Sequence, residues 1–138
     1  ESLAKRYKSL QKLLGLSEDL EKIECFDISH TQGDSTVGSC VVFSHNGPAR
    51  DLYRKYNITN IIKSDDYAAM SQVVRRRYTR QIKEDASLPD LIMIDGGKGQ
   101  MSVAQKELDE LQLSHIPVLG VAKGPSRKAG MEKLIFSF

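Results

Sequence analysis

The sequence predicts an α/β protein with a mixed sheet, in the order β-β-β-α-β-α-β with flanking helices. Three observations predict it. Three strand-like stretches, the second rich in β-branched residues, are joined by short turns over residues 23–58, which implies antiparallel pairing. Two later runs, Leu91–Asp95 and Pro117–Ala122, are apolar on both faces, as central parallel strands are. Between and before those runs the apolar residues recur at helical spacing.

Residues 3–14 carry Leu3, Tyr7, Leu10 and Leu14 on one stripe and predict a short amphipathic helix, followed by a break at Gly15–Asp19. Residues 1–22 are read as an N-terminal helix or linker, and residues 23–138 as one domain, C-terminally incomplete because the chain stops within an apolar run. Residues 23–29 predict a buried strand, Thr31–Ser35 a turn, and Thr36–Ser44 a second strand. His45-Asn46-Gly47-Pro48 predicts the next turn and Ala49–Ile58 a third, more polar strand.

Asp65 or Asp66 is suited to cap the helix that follows, since a carboxylate there accepts an orphan backbone N–H. Tyr67, Met70, Val74, Tyr78 and Ile82 form its apolar stripe. Arg76, Arg80 and Lys83 fall opposite as a solvated face, where contact with nucleic acid stays open, and Arg75 and Arg77 lie on the flanks. Pro89 lies past its end. The strand 91–95 is followed by a helix from Lys98 or Gly99, whose core face is Met101, Ala104, Leu108 and Leu111. After the strand 117–122 comes a basic loop, residues 123–128, and a further strand opens at Glu132.

Composition sets the outer bounds. A chain of 138 residues with 40% apolar and 28% charged residues is of ordinary globular make-up and is long enough for a real core. No apolar stretch approaches the roughly 20 residues that cross a bilayer and no signal pattern opens the chain, so a cytoplasmic location is expected. Cys25 and Cys40 both lie in apolar strands without metal-ligand spacing and are expected to be reduced, buried thiols. The net charge of +2 does not argue for a nucleic-acid partner, although cations cluster locally.

Two apolar runs end on an aspartate, Ile23–Asp27 and Leu91–Asp95, and the second leads into Gly96-Gly97-Lys98-Gly99-Gln100. Carboxylates at the carboxyl ends of strands stand where open α/β sheets bind ligands. Side by side, Asp27 and Asp95 would suit a hard divalent cation such as Mg²⁺ or Mn²⁺, which one or two carboxylates hold along with several waters. The glycine-rich turn lacks the Gly-x-x-x-x-Gly-Lys-Ser/Thr spacing, which argues against a third possibility, a nucleotide-binding protein. Lys98 near a helix start, Lys123 at a strand end, and Arg127 and Lys128 in the loop beyond are suited to a DNA backbone. His30 is three residues past Asp27 and falls on the other side of a regular strand, so its part in the site is open. His45 and His115 are read as turn and loop residues.

The element order resembles the ribonuclease-H-like fold, in which the first and fourth strands are parallel neighbours, so that Asp27 and Asp95 would share one cation. The segments Phe26–Thr31, Asp65–Met70 and Ile94–Gln100 resemble the C-terminal endonuclease domain of UvrC, the incision subunit of the bacterial nucleotide-excision-repair excinuclease. Asn46-Gly47-Pro48, Arg54–Ile58, Arg75–Tyr78 and Val121–Gly124 fit as well. The resemblance implies that Asp27 and Asp95 are catalytic metal ligands and makes Asp66 a secondary catalytic candidate, beside its reading as a helix cap. It implies a metal-dependent 5′ incision in damaged double-stranded DNA, with the UvrB subunit as partner through regions outside this chain. It also implies a histidine downstream of the 117–122 strand; His30, His45 and His115 all precede it, so the match would lie beyond Phe138. A non-cleaving DNA-binding module on the same fold is the alternative expectation.

Overall fold

The computed structural model describes residues 2–31, 35–62, 65–123 and 132–137, with the backbone alone for 123 and 132–135. Its elements are α1 (Leu3–Leu14), β1 (Lys22–His30), β2 (Thr36–Ser44), β3 (Gly47–Pro48), β4 (Arg54–Ile58), α2 (Asp66–Lys83), β5 (Leu91–Asp95), α3 (Lys98–Glu110), β6 (Val118–Lys123) and β7 (Glu132–Phe136). The sheet runs β3-β2-β1-β5-β6-β7, with β4 also pairing to β2. β1 and β2 are antiparallel, whereas β1–β5 and β5–β6 are parallel. This is the mixed sheet that the element order predicts, with the first strand and the strand 91–95 as parallel neighbours.

The predicted third strand is shorter than expected. Gly47, at φ 106°, lets the chain reverse tightly after His45-Asn46, and Gly47–Pro48 pairs with Phe43 and Ser44. A 3₁₀ turn over Arg50–Leu52 then interrupts pairing, and β4 resumes against Thr36–Cys40. Of the expected strand Ala49–Ile58, only Arg54–Ile58 is strand.

Strand alternation divides the core in two. Phe26, Cys40, Val42, Ile92, Ile94 and Val118 face α2 and α3, which supply Met70, Val73, Val74, Tyr78, Ala104 and Leu108. The opposite face is covered at one end by Leu14 and Leu20, which pack with Ile23, Leu91 and Leu119. Gly38 lets α2 lie close to β2, because a Cβ there would come within 2.8 Å of the Val73 side chain. Two of the five residues in the predicted α2 stripe, Tyr67 and Ile82, are exposed, while Arg77 from the flank is buried.

The partner of Arg77 explains its burial. Glu24 on β1 is 0% exposed, and its two carboxylate oxygens accept from Arg77 Nε at 3.1 Å and Nη2 at 2.9 Å. Tyr78 Oη donates to the same carboxylate at 2.7 Å. Burial pushes the Glu24 carboxyl up, but the Arg77 and Tyr78 bonds outweigh it and hold it below the usual carboxylate range. Both cysteines are free thiols, and burial with nearby negative charge pushes Cys25 up to about 11.

Candidate metal-dependent nuclease site

β1 and β5 are in register through Phe26↔Ile94, so Asp27 and Asp95 are the next residues along two adjacent parallel strands. Neighbouring strands lie about 4.8 Å apart. Both aspartates are exposed, and both line a groove of about 230 Å³ on the face away from α2, with Cys25, Val41, Met93 and Val121. β5 ends at Asp95, where Gly96 and Gly97 turn the chain into α3, a turn held by Gly96 N–H on Val121 O at 3.0 Å, whereas β1 runs on past Asp27 to His30. The Gln100 side chain caps α3 by accepting from Gly97 N–H at 3.2 Å.

The electrostatics of the pair favour a cation. Partial burial raises the Asp27 carboxyl from its usual value, and the negative charge of Asp95 raises it further. Among the described residues no Lys, Arg or His forms an ion pair with either aspartate. Two carboxylates on one face without a counter-charge fit Mg²⁺ or Mn²⁺, which keeps waters in its remaining positions. Among the described residues no group of three or more His, Cys, Asp or Glu that could hold a metal ion is found.

Antiparallel pairing extends the site sideways. Asp27 is opposite Ser39 on β2, and Ser39 is opposite Lys55 on β4, so these three residues lie in one transverse row on one face. On the far side Asp95 is paired with Val121. Lys55 was not singled out by sequence alone; the signal is strand parity, and it becomes readable only when the β2 register is known.

The other expected residues are placed unequally. Asp65, not Asp66, caps α2, its Oδ1 accepting from Ala68 N–H at 3.0 Å. That frees the Asp66 carboxylate, whose Oδ1 lies 2.7 Å from His30 Nε2, while His30 Nδ1 lies 3.0 Å from Thr36 Oγ1. His30 thus faces the α2 side, as the alternation of β1 predicts, and the structure brings Asp66 to His30 rather than to the Asp27–Asp95 pair. Lys98 is the exposed first residue of α3, next to the turn after Asp95. Lys123 ends β6, two residues past the partner of Asp95, with its side chain outside the described residues. Arg127 and Lys128 also lie outside the described residues.

This geometry agrees with what the chain is similar to. The family model of the UvrC RNAse H endonuclease domain matches residues 11–137. The chain belongs to that family. Curated relatives include the UvrABC system protein C of Saccharophagus degradans, 53% identical over 137 residues, and that of Legionella pneumophila strain Paris, 55% identical over 135. These alignments take in 99% and 97% of this chain but 22% of each relative, so the chain spans about a fifth of the length of the proteins it matches. Among solved structures, Ciona intestinalis endonuclease V in complex with an inosine-containing 24mer DNA superposes with TM-score 0.55 at 16% identity, over 87% of this chain and 55% of that one. The catalytic domain of human endonuclease V gives TM-score 0.53 at 21% identity, over 88% of this chain and 57% of that one. At such identities the likeness is one of fold. The UvrC RNase H domain is thus a ribonuclease-H-like α/β nuclease domain, and in this chain its strand-end edge carries the aspartate pair.

Proposed function

We propose that this UvrC RNase H domain makes the 5′ incision of nucleotide excision repair, hydrolysing a phosphodiester of damaged double-stranded DNA with Mg²⁺ or Mn²⁺. The observation that carries the reading is the Asp27–Asp95 juxtaposition: two carboxylates without an ion-pair partner among the described residues, one beyond each of two paired positions of parallel strands. Asp27 and Asp95 would hold the cation. Bound there, a divalent ion supplies charge neutralisation at a phosphoryl oxygen and a lowered pKa for attacking water.

The remaining roles follow from position. Lys98 at the start of α3, Lys123 at the end of β6, and Arg127 and Lys128 beyond it hold phosphates without reading sequence. Asp66 serves the site at one remove by fixing His30 at the end of β1, three residues from Asp27. The domain works in the cytoplasm as part of a larger protein that acts with the UvrB subunit.

The test uses the full-length protein with UvrB and an end-labelled duplex carrying one lesion. With Mg²⁺ or Mn²⁺ a nick is expected on the 5′ side of the lesion, leaving a 3′-hydroxyl and a 5′-phosphate, and chelation abolishes it. A 5′ nick that survives chelation contradicts the reading. Binding without any 5′ nick favours the non-cleaving module instead.

A further inference from the structure

The arginine run of α2 is divided by what each side chain meets. Arg77 turns inward to Glu24, and Arg75 is neutralised by Glu107 at 3.0 Å and Glu110 at 3.7 Å. Among the described residues Arg76 has no carboxylate partner: its Nη1 donates to Asn57 O at 2.7 Å and to Gln72 Oε1 at 3.3 Å, and its guanidinium lies 5.3 Å from the Tyr56 ring centroid. Across from it on β4, Arg54 Nη1 donates to the carbonyl oxygens of Asp51 at 3.0 Å and Tyr53 at 2.7 Å. Neutral acceptors fix the geometry of these cations without cancelling their charge. Lys55, exposed on the same strand, has no ion-pair partner among the described residues.

These residues line a groove of about 650 Å³ between β4 and α2, whose lining has a single carboxylate, Glu84, 3.2 Å from Arg80. β4 is an edge strand, so the groove opens around the rim of the sheet onto the face of the aspartate pair. Lys55 belongs to both, because it lines the groove and stands in the transverse row with Ser39 and Asp27. Two strand spacings separate it from Asp27, about 10 Å, or roughly three 3.4 Å steps of a DNA strand.

We propose that the β4–α2 groove is a second DNA-backbone track, in which Arg54, Lys55, Arg76 and Arg80 hold phosphates flanking the scissile one. The inference rests on the nuclease reading for what occupies the groove. Continuity with the aspartate row favours nucleic acid over an acidic peptide, and contacts to phosphates carry no sequence information.

The experiment uses the full-length protein with Asp27→Asn to prevent turnover, and fluorescence anisotropy with a 30-base-pair duplex across a salt series. Arg54→Gln, Lys55→Gln and Arg80→Gln together are expected to lower affinity about tenfold or more at 0.1 M salt and to reduce the log–log salt slope by about two to three. Glu84→Gln, which removes the only acid of the lining, is expected to tighten binding, a gain that misfolding does not produce. Unchanged affinity and slope in the triple variant, with its melting temperature retained, overturn the proposal. So does loss of UvrB retention with DNA binding intact, which makes the groove a protein-binding surface. If the parent protein with Asp27 fails to nick DNA yet the salt slope falls as stated, the nuclease reading fails and the groove stands as a DNA track.

Discussion

Asp27→Asn or Asp95→Asn is expected to lower the rate of 5′ incision about a thousandfold or more, since a metal site contributes several kcal/mol and ~4 kcal/mol corresponds to that factor. The carboxamide keeps the shape of the side chain but exchanges an anionic oxygen donor for a neutral one, in a site whose described lining has two carboxylates. The fold does not suffer. Burial and the charge of Asp95 raise the Asp27 carboxyl in the folded, metal-free protein. A carboxyl raised on folding contributes stability when protonated and loses it as pH rises, so at pH 7 the Asp27→Asn protein melts no lower than the parent. Single-turnover incision with the melting temperature measured alongside checks both halves. Equal losses from the two single variants, with little further loss from the double, identify one shared site.

The second large effect lies beneath the site. Arg77→Met is expected to destabilise the domain by about 3–5 kcal/mol, because it leaves the Glu24 carboxylate buried with its main counter-charge gone. Urea unfolding of the full-length protein, followed for this domain, measures it. Glu24→Leu combined with Arg77→Met should recover much of that loss, since an apolar pair avoids the desolvation of two charges. The recovery is incomplete because Tyr78 Oη then lacks its acceptor. The lowered Glu24 carboxyl sets the pH window: this contribution is present above the ordinary glutamate range and is lost as pH falls through the lowered value. Glu24 precedes Asp27 by three residues on β1, so the same pair that stabilises the fold anchors the strand that presents the site.

The elements whose signal is local were legible in the sequence. β5 and β6 were readable because both their faces are apolar, and α3 because its core residues keep helical spacing. The Asp27–Asp95 pair followed from these strands together with the resemblance to the ribonuclease-H-like fold, in which the first and fourth strands are parallel neighbours. What remained hidden depends on partners far along the chain. The helical wheel put Arg75 and Arg77 only on the flanks of the apolar stripe, yet Arg77 is taken inside by Glu24, 53 positions earlier, and Arg75 is taken by Glu107, 32 positions later. Asp65 and Asp66 were equal candidates for the α2 cap, and only the bond from Ala68 N–H decides for Asp65 and releases Asp66 to His30. Tyr67 kept the apolar period but stands exposed at the helix start. The third strand was read too long at its start because Leu52 and Tyr53 look strand-like, whereas Arg50–Leu52 forms a 3₁₀ turn. Lys55 became visible as a neighbour of the site only through a register that no local pattern encodes.

The central claim is that Asp27 and Asp95 together hold one divalent cation. A titration of Mn²⁺ into the full-length protein, followed by the paramagnetic resonance of the free ion, tests it most directly. One binding event is expected that weakens strongly in Asp27→Asn and equally in Asp95→Asn. Because the Asp27 carboxyl is raised, the affinity should begin to fall at a higher pH than for an ordinary aspartate site as the solution is acidified. Mn²⁺ binding of the same strength and stoichiometry in both variants as in the parent would contradict the account.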